Sequence, residues 1–288
     1  MMCRETGFPG LFDMLVVSSS KIVVLGASSD IGGYLTEHYL RGGAEVVGTY
    51  RSLTPRVAEL EAAGAKLFLL DIDSPEQVEH FAQQLEVEDF MWDVLISAPG
   101  LLAPIGPFFS TNFNDWEKSV ITNSSAQLRV LHALYGQRNG SKLSKVIFFA
   151  GGGTNGPFDN YSAYCVGKLA LIKMTELLDS ECPDLQVSII GTGWVDTKIH
   201  EQTISAGEAA GLNFYRTQQF IESAEGVGAS LETVAECIDW CLAAPRDAVG
   251  GRNFSLVHDE WRDSAMIDSL TANPNKYKLR RFPWREQI

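Results

Sequence analysis

The 288-residue sequence has no C-x-x-C pair, no apolar run long enough to cross a bilayer and no excess of basic residues. Each absence removes a class of protein. Five cysteines (Cys3, Cys165, Cys182, Cys237 and Cys241) are an odd number without zinc-ligand spacing, so neither a disulfide framework nor a metal ribbon is expected. A reducing compartment fits them best. Cys237 and Cys241 stand one helical turn apart and read as a buried helix face rather than as metal ligands. The apolar stretch from Leu11 to Val17 is interrupted by Asp13, which makes a poor signal peptide and is too short to span a membrane. A cytoplasmic protein without a membrane partner is expected, with residues 1–20 as an N-terminal extension and Met14 as an alternative start. With 23 basic against 36 acidic residues the formal charge is −13, which argues against nucleic acid as a partner.

What the chain does have is a 45% hydrophobic content and a regular alternation of short apolar runs with helical stretches. Lys21–Leu25, Glu45–Thr49, Lys66–Leu70, Asp93–Ala98, Lys145–Ala150 and Gln186–Ile190 read as strands. Parallel neighbours require crossovers, so the alternation predicts an α/β fold: a doubly wound parallel sheet of about seven strands with helices on both faces. Ser74-Pro75-Glu76-Gln77 and Ser230-Leu231-Glu232 carry helix-start chemistry, an N-cap followed by an acidic first turn. The nucleotide-binding domain is expected over residues 21–257. Residues 198–229, rich in small polar residues with Phe214, Tyr215 and Phe220, read as a mobile segment over the site, and 258–288 as a C-terminal tail.

Two local patterns carry chemistry. The first strand runs into Gly26-Ala27-Ser28-Ser29-Asp30-Ile31-Gly32 and then an amphipathic helix, the arrangement that presents free N–H groups and a positive dipole end to a phosphate. A tight turn without ligand is the alternative reading of such a loop. Further on, Tyr164-Cys165-Val166-Gly167-Lys168 puts a phenol and an ammonium on one helix face.

Taken in order, these motifs resemble the short-chain dehydrogenase/reductase family over roughly residues 21–257. Gly26 to Gly32 resembles its glycine loop, Asp71-Ile72 its adenine-side pair, and Ser97-Ala98-Pro99-Gly100 its N-N-A-G turn. Asn123 resembles its helix asparagine, and Gly193, Val195 and Thr197 fall in its loop after the catalytic helix. The resemblance implies a Rossmann fold that binds a nicotinamide dinucleotide and interconverts a carbonyl and an alcohol. Tyr164 would be the general acid/base, Lys168 would lower the phenol's pKa and hold the nicotinamide ribose, and Asn123 would anchor a water that relays protons. A homodimer or homotetramer is implied by the same analogy.

The chain also departs from the family pattern. Asp30 replaces the middle glycine of the loop, where its carboxylate would cap the helix yet repel a phosphate. Thr192 stands for the usual proline before Gly193. The family's catalytic serine lies about 13 residues before the tyrosine, and this chain reads Phe149-Ala150-Gly151-Gly152-Gly153-Thr154 there. Thr154 is the nearest substitute polariser, or a structural loop residue; Ser124 and Ser125 are weaker candidates. After the second strand comes Arg51 and no acid, which favours NADP over NAD. The basic stretch Lys276 to Arg285 reads as a docking arm or solvated tail, or else as cations for an anionic substrate such as a nucleotide-linked sugar. A regulatory nucleotide-binding scaffold with a degenerate site, and a non-redox lyase or epimerase, remain the alternatives to an oxidoreductase.

Overall fold

The computed structural model describes residues 19–223 and 228–281. The N-terminal extension up to residue 18, with Cys3 and Met14, and the end of the basic stretch from residue 282 lie outside the described residues.

Seven strands form one parallel sheet, β1 (Lys21–Leu25), β2 (Glu45–Tyr50), β3 (Lys66–Leu69), β4 (Val94–Ser97), β5 (Ser144–Phe149), β6 (Leu185–Gly191) and β7 (Asn253–Ser255), in the order β3-β2-β1-β4-β5-β6-β7. Six of the seven coincide with runs read from the sequence, to within a residue or two at each end. The three-residue β7 is too short to announce itself by periodicity.

Strand residues alternate between two cores because successive side chains point to opposite faces. Ile22 and Val24 enter one core with Leu35 and Tyr39 of helix α1 (Asp30–Arg41), and with Val234, Cys237 and Cys241. Val23 and Leu25 enter the other with Val78 and Phe81 of a later helix and with Leu171. Each face is thus sealed by helices, as a parallel sheet requires. The sequence reversal between β1 and β4 leaves a crevice at the carboxyl ends of the strands, where doubly wound sheets bind ligands.

The remaining helices are α2 (Pro55–Ala62), α3 (Pro75–Val87), α4 (Phe113–Thr122), α5 (Ser125–Leu134), α6 (Ser162–Glu181), α7 (Ile199–Ala206), α8 (Leu212–Glu222), α9 (Leu231–Ala243), the single turn α10 (Arg246–Val249) and α11 (Ala265–Ala272). The expected caps are in place: Ser74 Oγ accepts from Gln77 N at 3.2 Å and Ser230 Oγ from Thr233 N at 3.0 Å. Cys237 and Cys241 are fully buried on α9.

Residues 198–223 form α7, a 3-10 turn over Gly207–Ala210 and α8, and Ala206, Ala210 and Phe214 pack with Leu102, Tyr161 and Tyr164. Within residues 258–281, Trp261, Met266 and Leu270 are buried in the core of the α1 face. Arg252, itself buried, ties this end down by donating to the main-chain carbonyls of Asp247, Leu270, Asn273 and Lys276 at 2.7–3.3 Å. Three of those carbonyls lie in or just beyond α11, the negative end of its dipole.

Candidate active site

The glycine loop between β1 and α1 has the shape its sequence demands. Gly26 has φ +75°, a region that favours glycine, and a Cβ on Gly32 would fall 2.2 Å from Gly26 O. Only glycine fits at residue 32. Ser29 caps α1, its Oγ accepting from Gly32 N at 3.1 Å, and Thr49 of β2 braces the loop by accepting from Gly26 N at 3.0 Å. Thr49 was not singled out in the sequence, because a strand threonine has no distinguishing pattern. Ser28 is half-buried and Ile31 lies on the crevice wall.

Asp30 does not spend its carboxylate on its own helix. Its Oδ2 accepts from the main-chain N–H of Lys198 at 2.7 Å, joining the glycine loop to the start of α7. That bond fixes the direction of the loop holding Gly193, Val195 and Thr197. Gly193 has φ +67°, and a Cβ there would strike Val257. Val195 is buried, and Thr197 lines the crevice.

The turn after β4 is held from beneath. Ser97 Oγ donates to Gln127 Oε1 at 2.7 Å, and Gln127 Nε2 donates to Pro99 O at 3.3 Å. Gln127, fully buried on α5, was another residue the sequence did not mark. Ala98 and Gly100 line the crevice above it. Asn123 at the end of α4 clasps the next residue of the same turn: Nδ2 donates to Leu101 O at 2.7 Å and to Ser119 O at 2.9 Å, while Oδ1 accepts from Leu101 N at 3.1 Å. Both amide hydrogens are engaged, so the side chain braces the main chain of the turn.

Tyr164 and Lys168 lie on the inner face of α6, both nine-tenths buried. Lys168 Nζ is 5.9 Å from the Tyr164 ring centroid and donates to Pro99 O at 3.4 Å. Burial pushes the Tyr164 phenol up and pulls the Lys168 ammonium down to about 8. Desolvation is the leading cause of both shifts, raising the phenol and lowering the ammonium.

Gly151 touches the reactive end of this pair. A Cβ on it would lie 2.1 Å from Tyr164 Oη. Thr154 lines the crevice, but its Oγ1 donates to Gly151 O at 3.2 Å, so the hydroxyl serves the glycine loop. Ser124, between α4 and α5, donates its hydroxyl to Val120 O of α4.

Tyr164, Lys168, Thr154 and the loop residues Gly193 and Thr197 share one crevice of about 740 Å³. Trp194, stacked on His200 at 5.1 Å between ring centroids, forms part of its wall. Burial lowers the His200 imidazole below its ordinary value. Arg51, Asp71 and Ile72 are not among the residues lining it; they stand at the ends of β2 and β3, where Asp71 Oδ1 accepts from Asp73 N. Arg51 is exposed and makes no ion pair or hydrogen bond among the described residues. Arg280 forms a two-pronged bond to Glu176 on α6, at 3.0 and 2.6 Å.

A family described as short chain dehydrogenase matches residues 20–207. The chain belongs to the short-chain dehydrogenase family. An uncharacterized oxidoreductase of Schizosaccharomyces pombe is 26% identical over 181 residues, covering 62% of this chain and 73% of that protein. The probable oxidoreductase EphD of Mycobacterium tuberculosis is 27% identical over 212 residues, 69% of this chain but only 34% of EphD. Among solved structures, a short chain dehydrogenase of Shigella flexneri complexed with NADP superposes with a TM-score of 0.70 at 21% identity, over 84% of this chain and 98% of that one. An NAD+-bound xylitol dehydrogenase does so with a TM-score of 0.72 at 19% identity, over 83% and 98%. As a short-chain dehydrogenase the protein is an NAD(P)-dependent oxidoreductase. No helix among the described residues is long and apolar enough to cross a membrane.

Proposed function

We propose that the protein is an NADP-linked carbonyl reductase, or the matching alcohol dehydrogenase, in which Tyr164 passes the proton. The observation that carries this is the burial of Tyr164 Oη and Lys168 Nζ together at the floor of one crevice, beside a loop that admits only glycine at residue 32. The residues fit a dinucleotide: a Cβ-free cradle at Gly26 and Gly32 opens onto the N-terminus of α1, which favours an anionic pyrophosphate. Gly26, Ser28, Ser29 and Ile31 would hold it from one side and Gly193, Val195 and Thr197 from the other. Ser97, Ala98 and Gly100 would form the floor, with Asp71 and Ile72 on the adenine side. Arg51, exposed and unpaired, would take a 2′-phosphate. When bound, the cofactor supplies the hydride.

In the reductive direction, a phenol held protonated by burial is in the right state to donate to a carbonyl oxygen. Lys168, when charged, stabilises the phenolate that this leaves. Residue 151 is read as the position of the family's catalytic serine, so the protein works without a serine hydroxyl there, and Thr154 is assigned to the loop. The outer faces of α4 and α6 expose Ile121, Val166 and Leu177, which supports pairing of two copies across these helices. With Arg280 engaged by Glu176, a nucleotide-linked sugar loses one of the cations that favoured it.

The test is a parallel fluorescence titration with NADPH and NADH, followed by turnover of aromatic aldehydes by the wild type and Tyr164→Phe. Tighter binding of NADPH and loss of turnover in the variant are expected. Binding of neither cofactor, or undiminished turnover by Tyr164→Phe, would overturn the reading.

A further inference from the structure

The crevice is unusual for this chain in its charge. Of 36 acidic residues in the sequence, none lines it among the described residues, while Lys168, Arg216, His200 and His258 do. The cradle for cofactor phosphates lies on the glycine-loop side, at Gly26, Gly32 and the N-terminus of α1. Arg216 stands on α8 and lines the same crevice as Tyr164.

Arg216 is exposed to the crevice and makes no hydrogen bond, ion pair or ring contact among the described residues. It shares this with Arg51, whereas other arginines are engaged by acids. Arg138 is paired with Asp184, Arg246 with Asp179, Arg262 with Glu236 and Arg280 with Glu176. The backbone beneath Arg216 is fixed rather than adrift. Asn213 donates to Asp159 O at 3.2 Å, Thr217 is buried, and Phe214 packs against the cluster holding Tyr161 and Tyr164. Asn213, Arg216 and Thr217 are spaced three and four residues apart, so they present one face of α8, and all three line the crevice. Leu102, Phe158 and Trp194 line the same crevice, a surface suited to an apolar or aromatic body.

We propose that the substrate is a carbonyl compound with an apolar body and a terminal oxyanion, carboxylate or phosphate, which Arg216 anchors while the carbonyl lies at Tyr164. A guanidinium fork suits either planar carboxylate or phosphate oxygens, and an unlined, acid-free wall leaves it without an internal competitor. This inference rests on the reductase reading for its chemistry, but not for its anion site.

The experiment compares 4-formylbenzoate, 4-formylphenyl phosphate and the neutral methyl 4-formylbenzoate as substrates with NADPH, in the wild type, Arg216→Ala and Arg216→Lys. The wild type is expected to show a lower KM for at least one anion than for the ester, and which anion wins identifies the group. Arg216→Ala should raise the KM for that anion about 10- to 150-fold, the range for losing a charged hydrogen bond. The ester should be untouched, and Arg216→Lys should restore part of the loss. Equal KM values for charged and neutral substrates in the wild type, or equal losses in Arg216→Ala, would overturn the proposal while leaving the reductase reading standing. If none of the three aldehydes turns over, the reductase reading falls and calorimetry of 4-formylbenzoate and phenyl phosphate binding decides the anion site. Saturable binding that Arg216→Ala abolishes sustains it; no saturable binding overturns it.

Discussion

The hydroxyl of Tyr164 occupies the space in which a side chain on residue 151 would begin. A Cβ built on Gly151 would lie 2.1 Å from Tyr164 Oη and 2.4 Å from Cζ, far inside any tolerated contact. The glycine is therefore a condition of the tyrosine's position. Gly151→Ala and Gly151→Ser should each push the ring aside and lower kcat about 100-fold, the penalty for displacing a catalytic group by roughly 1 Å. Steady-state kinetics of the two variants check this. The alanine variant separates steric displacement from any gain by a hydroxyl; a serine variant as active as the wild type would show that the ring is not held against residue 151.

Lys168 sets an expected pH limit. Burial lowers its ammonium to about 8, so above that pH the charge that stabilises the phenolate is lost. Reductive kcat/KM, which reports the free enzyme, should fall as pH rises through about 8. Lys168→Arg, lower in absolute activity, should lose this limb because a guanidinium stays charged. The same shift has a stability consequence of opposite sign. Between about pH 8 and the unfolded value near 10.4 the unfolded chain binds more protons at this residue than the folded one. Folding should thus gain relative to Lys168→Met over that window, and chemical denaturation at pH 7.5 and 10 measures the difference.

Arg51 should decide cofactor choice. Arg51→Ala is expected to weaken NADPH binding about 10- to 100-fold through loss of a charge-assisted contact, with NADH binding unchanged. Equal effects on both cofactors would place the residue against the adenine ring instead.

The sheet and the order of its motifs were legible in the sequence because parallel strands buried on both faces are continuous apolar runs, as in Val23, Val24 and Leu25. Gly32 was legible for a comparable reason: a backbone approach that excludes Cβ leaves a glycine behind. The part played by Asp30 was not. Its partner is the main-chain N–H of Lys198, and backbone groups leave no trace in residue identity. Gln127 and Asn123 were obscured likewise, since both hold the carbonyls of the turn after β4. The desolvation of Tyr164 was not legible either. Spacing shows that a lysine shares the helix face, whereas desolvation depends on everything packed around it.

The C-terminal segment offers a contrast between two arginines. Pairing with Arg280, and then with Lys173, holds the Glu176 carboxyl down at about 2. The stabilisation is present above the unfolded value near 4.3 and is lost as pH falls toward 2. Arg280 is more than a third exposed, at 37%, so solvent screening discounts the pair, and Arg280→Ala should cost about 1 kcal/mol or less with no change in KM.

Arg252 sits at the other extreme. It is 2% exposed and satisfies four carbonyls, three of them at the end of α11. Arg252→Met fills the volume but returns none of the donors, leaving buried acceptors unpaired at a cost of about 1–3 kcal/mol for each that water cannot reach. A loss of about 3 kcal/mol or more is therefore expected, which for a domain of this size lowers Tm by roughly 10 °C. Because the same carbonyls hold residues 265–276 against β7, amide exchange should rise there before it rises in β1 or β4. Uniform exchange throughout the sheet at unchanged Tm would show that the arginine is a passenger in the core; selective opening of α11 would identify it as the tie between the last helix and the sheet.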